Sequence, residues 1–202
     1  MEIGDVFGDL PTVETDRLVL RKLALSDAED LYGFTSVPEV SEYLTWECHK
    51  SIETTIKFLE SVLDKYSNKE VSQWGIELKD THKLIGISGF IGWCPEHSKA
   101  EIAYVLSNKY WNRGLMTEAL EAVVDFGFEV MDLNRLEAKV EVGNISSEKV
   151  LQKLGMVHEG TLRKFTYVKG EFKDYELYAI LRDEYFGKKT SRRRWNTSKR
   201  KK

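Results

Sequence analysis

Cysteine is almost missing from this chain: Cys48 and Cys94 are the two thiols in 202 residues, far apart and without a C-x-x-C spacing. That excludes a disulfide framework and matches the usage of a reducing compartment. No apolar run approaches the roughly 20 residues that a membrane span needs. Residues 1–16, MEIGDVFGDLPTVETD, are acidic where a secretory signal would be basic and then apolar. A cytoplasmic protein is expected. Histidines are few and single (His49, His82, His97, His158). Cys94-Pro95-Glu96-His97 offers metal-capable side chains but no second ligand pair at zinc spacing, so no metal site is expected. No Gly-Lys-Ser/Thr ends a glycine-rich loop, which argues against a nucleotide-triphosphate site. Internal repeats are absent as well, and low complexity is confined to the last residues.

What is present is the composition of an ordinary globular domain, 42% hydrophobic and 31% charged, in a chain long enough to bury one sizeable core. The net charge of −3 hides a split. Residues 188–202 carry nine Lys or Arg and no acid; without them 21 basic residues face 33 acidic ones, and the body stands near −12. An acidic body attracts a cationic substrate such as a basic protein or a polyamine. The basic end is either a disordered, solubilising tail or a contact for RNA, a ribosome or another acidic surface.

Alternation and spacing divide the rest. Residues 15–22 (TDRLVLRK) read as a first strand. Ser26 caps a helix to about residue 34, with Asp27 and Glu29 where the dipole favours negative charge. Ser51 caps a second helix, in which Ile52, Ile56, Leu59, Leu63 and Tyr66 recur at helical spacing. Between them residues 43–49 form an aromatic loop, whose Trp46 either walls a substrate cleft or packs against the helices.

A meander follows, with strands at 72–78, 83–93 and 100–106 and loops short enough for antiparallel pairing. Gly86, Gly89 and Gly92 interrupt its middle strand. Residues 114–129 are helical, with Met116, Leu120, Val123, Val124 and Phe128 on one face. Residues 135–142 alternate as a strand, 147–154 form a helix stopped by Gly155, and 156–162 with 175–181 close the chain as a hairpin around Gly170. The order predicts an α/β fold: a mixed, mostly antiparallel twisted sheet of about six to seven strands with helices on both faces. Three segments are expected: an extension over 1–14, the folded domain over 15–187 and the basic tail over 188–202.

The stretch Tyr110-Trp111-Asn112-Arg113-Gly114-Leu115-Met116-Thr117-Glu118-Ala119 joins a strand to a helix. A turn closed by glycine leaves the first helical amides without intrahelical partners. Those amides, the positive end of the dipole and Arg113 together suit a phosphate.

With this loop the sequence resembles the GNAT N-acetyltransferase family, and within it the Rim-type branch that acetylates ribosomal-protein N-termini. The likeness covers residues 15–185. Thr15-Asp16-Arg17-Leu18-Val19-Leu20-Arg21 is similar to the branch's opening strand. Trp111 to Ala119 carries its acetyl-CoA signature, Q/R-x-x-G-x-G/A, with Trp in first place. Met116 departs from the usual Gly or Ala, and clears a pyrophosphate only by pointing into the core. Asn144-x-x-Ser147-x-x-Val150-Leu151-x-Lys153-Leu154-Gly155 resembles the following motif, and Glu159-Gly160-x-Leu162-Arg163 the closing hairpin.

The resemblance implies the acyl-CoA N-acyltransferase (GNAT) fold and acetyl-CoA as cosubstrate, lying in a splay between the strands that end at Leu106 and Val142. It implies direct attack by a primary amine in a ternary complex. The pantetheine arm is expected along Val105, Leu106 and Ser107, with a backbone N–H near Val105 for the thioester oxyanion. The pyrophosphate is expected on the amides of Asn112, Arg113, Gly114, Leu115, Met116 and Thr117. Ser147 matches a serine that protonates the CoA thiolate, although Ser147 and Asn144 are equally natural helix caps; Asn144 is expected to orient the cofactor or the turn. Glu101 is the candidate general base, or an ordinary strand carboxylate. The glutamate that the branch can use in its closing hairpin falls here at Thr166. Asp174 and Glu176 border the acceptor cleft, or form a polar strand face.

No cysteine stands in a nucleophile motif, which favours the ternary complex over a covalent acetyl-enzyme. An α-amine, with a pKa of about 8, needs little help to be neutral, whereas a lysine or polyamine amine near 10 needs a real base. The acceptor expected is a protein N-terminal amine. The alternatives are a polyamine or amino sugar, and a non-catalytic acyl-CoA-binding sensor. Monomer and homodimer are both compatible with the sequence.

Overall fold

The structure is a computed structural model that describes residues 2–187, so the basic tail over 188–202 lies outside the described residues. A short helix α1 (Ile3–Phe7) leads into strands β1 (Val13–Glu14) and β2 (Leu18–Arg21). Helices α2 (Ala28–Thr35), α3 (Pro38–Ser41) and α4 (Ile52–Ser67) follow, then the meander β3 (Gln73–Leu78), β4 (Lys83–Cys94) and β5 (Lys99–Leu106). The chain continues through α5 (Leu115–Glu129), β6 (Arg135–Glu141), α6 (Ile145–Leu154), β7 (Val157–Val168) and β8 (Glu171–Leu181). The strands form one eight-stranded sheet in the order β1-β2-β3-β4-β5-β6-β8-β7. Every neighbouring pair is antiparallel except β5 with β6. The expected mixed sheet is therefore found, with one strand more than foreseen. The two-residue β1 is too short to register as alternation.

Side chains alternate between the two faces of the strands. One face carries Trp74, Phe90, Ile102 and Leu136 and packs against α5 and α6. The other carries Leu84 and Ile87 beneath α2 and α4. Helix α5 buries Met116, Leu120, Val123, Val124 and Phe128, the apolar face that the helical spacing predicts. Residues 3–11, read from sequence as part of an extension, are anchored in the core. Phe7 is 1% exposed and Leu10 3%, and the Trp74 indole donates to the Pro11 carbonyl at 2.7 Å. Burying one such phenylalanine stabilises the fold by about 2 kcal/mol. A five-residue helix is simply too short to show a period.

The sheet parts in one place. Strands β5 and β6 pair only through Lys99↔Arg135, Ala100↔Leu136 and Glu101↔Glu137. Beyond Glu101, β5 stays in register with β4 as far as Gly86↔Leu106, while β6 stays with β8 as far as Glu141↔Tyr175. Each strand follows its antiparallel partner, and the sheet's twist opens a V between them. Among the described residues, no helix is long and apolar enough to cross a membrane.

Candidate active site

The polar edges of the V are set by the main chain of β5, whose N–H and C=O groups alternate sides. The Ser107 amide donates to the Ile85 carbonyl at 2.8 Å. The Val105 carbonyl lies so close to β4 that a β-carbon on Gly86 would meet it at 2.5 Å. Val105 and Ser107 therefore direct their main-chain groups to β4, and Tyr104 and Leu106 turn theirs toward the V. This narrows the expected oxyanion amide near Val105 and the expected pairing along Val105, Leu106 and Ser107: the open amides belong to Tyr104 and Leu106. Register with β4 decides which residues face out, and a strand's own sequence does not encode it. The Leu106 carbonyl is already occupied, since the Trp111 indole folds back and donates to it at 2.8 Å.

At the end of β5, Asn112 (φ 60°) and Gly114 (φ 73°) adopt left-handed conformations. Gly114 is the N-cap of α5, and no side chain caps that helix. The Glu118 amide donates to the Gly114 carbonyl at 3.0 Å. The amides of Leu115, Met116 and Thr117 precede that first bond and have no helical partner. Met116 is 6% exposed and lies in the core, so its side chain stays clear of them. The cation at the helix start is one that the sequence did not announce. Arg17 donates to the Arg113 carbonyl at 3.1 Å and to the Glu118 carboxylate at 2.6 Å, whereas Arg113 lies over the Tyr110 ring, 5.3 Å from its centroid. Burial opposes ionisation of Glu118, but bonds from Thr15 and from the Arg17 main chain and guanidinium hold its carboxyl below the usual range.

Helix α6 begins beyond the other arm of the V. Asn144 is its N-cap, its Oδ1 accepting from the Ser147 amide at 3.1 Å, so the cap role open to either residue falls to Asn144. Such a cap is worth about 1 kcal/mol. The Ser147 hydroxyl is left for another use and lies 2.6 Å from the hydroxyl of Tyr104. Burial pushes the Tyr104 phenol up, beyond the ordinary range.

The opposite face of the V is built from distant parts of the chain. Lys139 donates to Glu101 at 2.5 Å, bridging β5 and β6 just past their last shared pair. Its ammonium also lies 5.5 Å from the centroid of the Phe165 ring. Phe165 meets Tyr175 edge-on at 5.9 Å. Tyr175 is 7% exposed, and its hydroxyl is buried with no hydrogen-bond partner among the described residues. Burial, and Glu141 beside it, push that phenol up. Glu141 is itself buried and pairs with Lys173 at 3.2 Å.

Phe165 reaches this face from an irregularity in β7 between Leu162 and Thr166, where Asp174 accepts from the Lys164 amide at 2.7 Å. Asp174 thus shapes the hairpin. At the hairpin's tip, Lys169 and Gly170 both have positive φ (52° and 86°), the signature of a tight hairpin turn. Lys169 donates to the carbonyls of Ser41 (2.5 Å) and Glu42 (3.1 Å) at the end of α3. In the loop that follows, Trp46 packs on His49 with ring centroids 5.2 Å apart, and His49 sits 2.8 Å from Thr55 of α4. Glu176 is aligned with Val140 and so lies on the α6 face, bound to His158 and Thr161. Asp174 is thus taken up by the hairpin's main chain and Glu176 by the α6 face, and no contact joins Trp46 to either among the described residues. Lys139, Phe165 and Tyr175 form one wall, and only a strand bulge and an inter-strand register bring them together.

Among the described residues no group of three or more His, Cys, Asp or Glu could hold a metal ion. A mixed sheet that opens between two parallel strands, with uncapped helix amides at its mouth, defines the acyl-CoA N-acyltransferase class. The open β5 amides fit a pantetheine arm and the free α5 amides fit a pyrophosphate. Residues 17–157 match the family model described as the acetyltransferase (GNAT) domain. The chain belongs to the GNAT acetyltransferase family and is an acetyl-CoA-dependent N-acetyltransferase. It is 37% identical over 172 residues to the uncharacterized N-acetyltransferase YoaA of Bacillus subtilis, spanning 85% of this chain and 97% of that protein. A solved GNAT-family acetyltransferase from Bacillus anthracis is 29% identical with a TM-score of 0.77, covering 86% of this chain and all (100%) of that one. The ribosomal-protein-serine acetyltransferase of Escherichia coli is 30% identical over 101 residues, half (50%) of this chain and 56% of that protein.

Proposed function

We propose that the acceptor is the N-terminal α-amine of a protein. The carrying observation is the Glu101–Lys139 pair at the mouth of the V, flanked by Phe165 and Tyr175. Glu101 is already engaged by an ammonium, and Glu141 beside Tyr175 is likewise engaged by Lys173. The further charges of a polyamine or amino sugar would meet carboxylates that lysines already occupy. A peptide N-terminus brings one amine, about a tenth of it neutral at pH 7, followed by uncharged amides that a buried phenol can hydrogen-bond. The partial match to a ribosomal-protein-serine acetyltransferase supports the same substrate class.

Acetyl-CoA supplies the activated acetyl group. The Leu115, Met116 and Thr117 amides, with Arg17 beside them, receive the pyrophosphate, and Asn144 holds the α6 turn against the cofactor. Tyr104 and Leu106 offer main-chain N–H groups to the oxygen on which charge develops. Glu101 draws the proton from the attacking amine, and Lys139 holds that carboxylate at the seam of the two strands. Ser147 supplies a proton to the departing sulfur.

The test is CoA release at saturating acetyl-CoA with peptides bearing free Ser or Ala N-termini, their N-blocked counterparts, spermidine and an amino sugar. The free peptides are expected to exceed spermidine in kcat/KM by about 100-fold. Equal or better turnover of spermidine or the amino sugar would sink the reading, as would turnover of blocked peptides through internal lysines.

A further inference from the structure

We infer that Tyr104 is the residue that makes Ser147 a proton donor, acting as a positioning residue for the thiolate-protonation step. The inference rests on the role proposed above for Ser147, and it begins from hydrogen-bond geometry. The Tyr104 hydroxyl lies 2.6 Å from Ser147 Oγ and 3.3 Å from the Ser147 carbonyl. A phenol has one proton to give. Given to the carbonyl, it would leave the phenolic oxygen to accept the serine's proton, and Ser147 would have nothing to offer the sulfur. Given to Oγ, it fills an acceptor position on the serine and turns the serine's own O–H outward.

Two facts favour the second arrangement. The contact to Oγ is the shorter by far, and a bond of 3.3 Å to the carbonyl is at the weak end of the range. The phenol also stays protonated across the working range of pH, because its burial disfavours the phenolate. Tyr104 is then a permanent donor facing a serine whose main chain is already pinned by Asn144. Helix capping does not compete for the hydroxyl, since the Asn144 side chain supplies the cap.

Position adds to this. Tyr104 is one of the two β5 residues whose main-chain groups face the V, so one residue points its N–H at the reacting carbonyl and its hydroxyl at the proton donor. In the transfer, the nitrogen–carbon bond forms and the amine's proton leaves to solvent by way of Glu101. The carbon–sulfur bond breaks with its electron pair on sulfur, and the sulfur takes the Ser147 hydroxyl proton. Oγ, briefly electron-rich, is held by the Tyr104 O–H and regains a proton from water. One proton has moved from nitrogen to sulfur, and Tyr104 keeps its own throughout.

The test is a double-mutant cycle on kcat with Tyr104→Phe, Ser147→Ala and the pair, with calorimetric CoA binding and melting temperature as checks on folding. Tyr104→Phe alone is expected to lower kcat about 10- to 100-fold, the effect of losing a hydrogen bond to a charged group, and to leave the KM for acetyl-CoA unchanged. In the Ser147→Ala background the same change should cost nothing further, because its route of action is gone. Replacing Tyr104 with 3-fluorotyrosine, which keeps ring and hydroxyl, should retain kcat within about threefold. Wild-type kcat for Tyr104→Phe, losses that multiply in the pair, or failure of the fluorinated residue to restore kcat would overturn the inference. A fully active Ser147→Ala would instead remove the serine's proposed role, and this inference with it.

Discussion

On the α5–α6 side of the V, the groups proposed to meet the cofactor come, Arg17 apart, from two short runs of chain, 104–117 and 144–147. The opposite side is assembled across long stretches: Lys139 reaches Glu101 over 38 residues and Lys169 reaches Ser41 over 128. The first side consists mostly of main-chain amides, positioned by a left-handed glycine and an asparagine cap. The second consists of side chains, positioned by strand register and a bulge. In the proposed reading, a donor common to a whole family is bound by backbone, which tolerates sequence change, and an acceptor particular to one enzyme by side chains, which do not.

That contrast can be broken or sharpened by substitutions that separate the two sides. Glu101→Gln removes the carboxylate from the seam and should lower kcat by about 100-fold or more while sparing the KM for acetyl-CoA. Retention of wild-type kcat would return Glu101 to being a partner of Lys139 and nothing else. Gly114→Val forces a β-branched residue into a backbone with φ of 73°, at a cost of about 2 kcal/mol borne by the cofactor loop. Its acetyl-CoA KM should rise about 30-fold with the acceptor KM unchanged; a rise confined to the acceptor would contradict the division of the site. Tyr175→Phe removes a buried hydroxyl that has no partner within the described chain. Steady-state kinetics should give an acceptor KM about fivefold higher at constant acetyl-CoA KM. If the acceptor KM is unmoved and the melting temperature rises, that hydroxyl is merely a desolvated one and takes no part in binding.

The smallest effect concerns pH. Burial lowers the His49 pKa from its ordinary value near 6.5, so the fold favours the neutral ring. The unfolded chain takes up this proton first as pH falls, so the stability is fully present above about pH 6.5 and is lost as pH drops through the lower folded value. Between pH 7 and 5 the wild-type melting temperature should fall a few degrees more than that of His49→Gln. Parallel curves would assign the acid sensitivity of the acceptor-side loop to other groups.

Much of the donor side was legible before any fold was known. Gly114, the apolar face of α5 with Met116 on it, and the Asn144–Ser147 turn are local patterns, and local hydrogen bonding decides them. Arg17 was not legible in this role, because nothing in TDRLVLRK says which helix start the strand will cross. Nor does the sequence around Val105 say which β5 amides face the V, because register with β4 decides it. On the acceptor side, Trp46, Asp174 and Glu176 looked suitable by polarity and loop position. The β7 bulge and the β6–β8 register brought Lys139, Phe165 and Tyr175 together in their place.

By itself, then, the sequence determined the longer elements, the glycine-closed turn before α5, the family and the acetyl donor, since each is written in patterns within a few residues of chain. The tertiary structure alone decided where β5 and β6 part, which amides are left open, that Tyr104 stands on Ser147 and that Lys139 stands on Glu101. Those are pairings between strands and helices far apart in the chain. They follow from how the whole sheet twists and packs, and no window of sequence contains them.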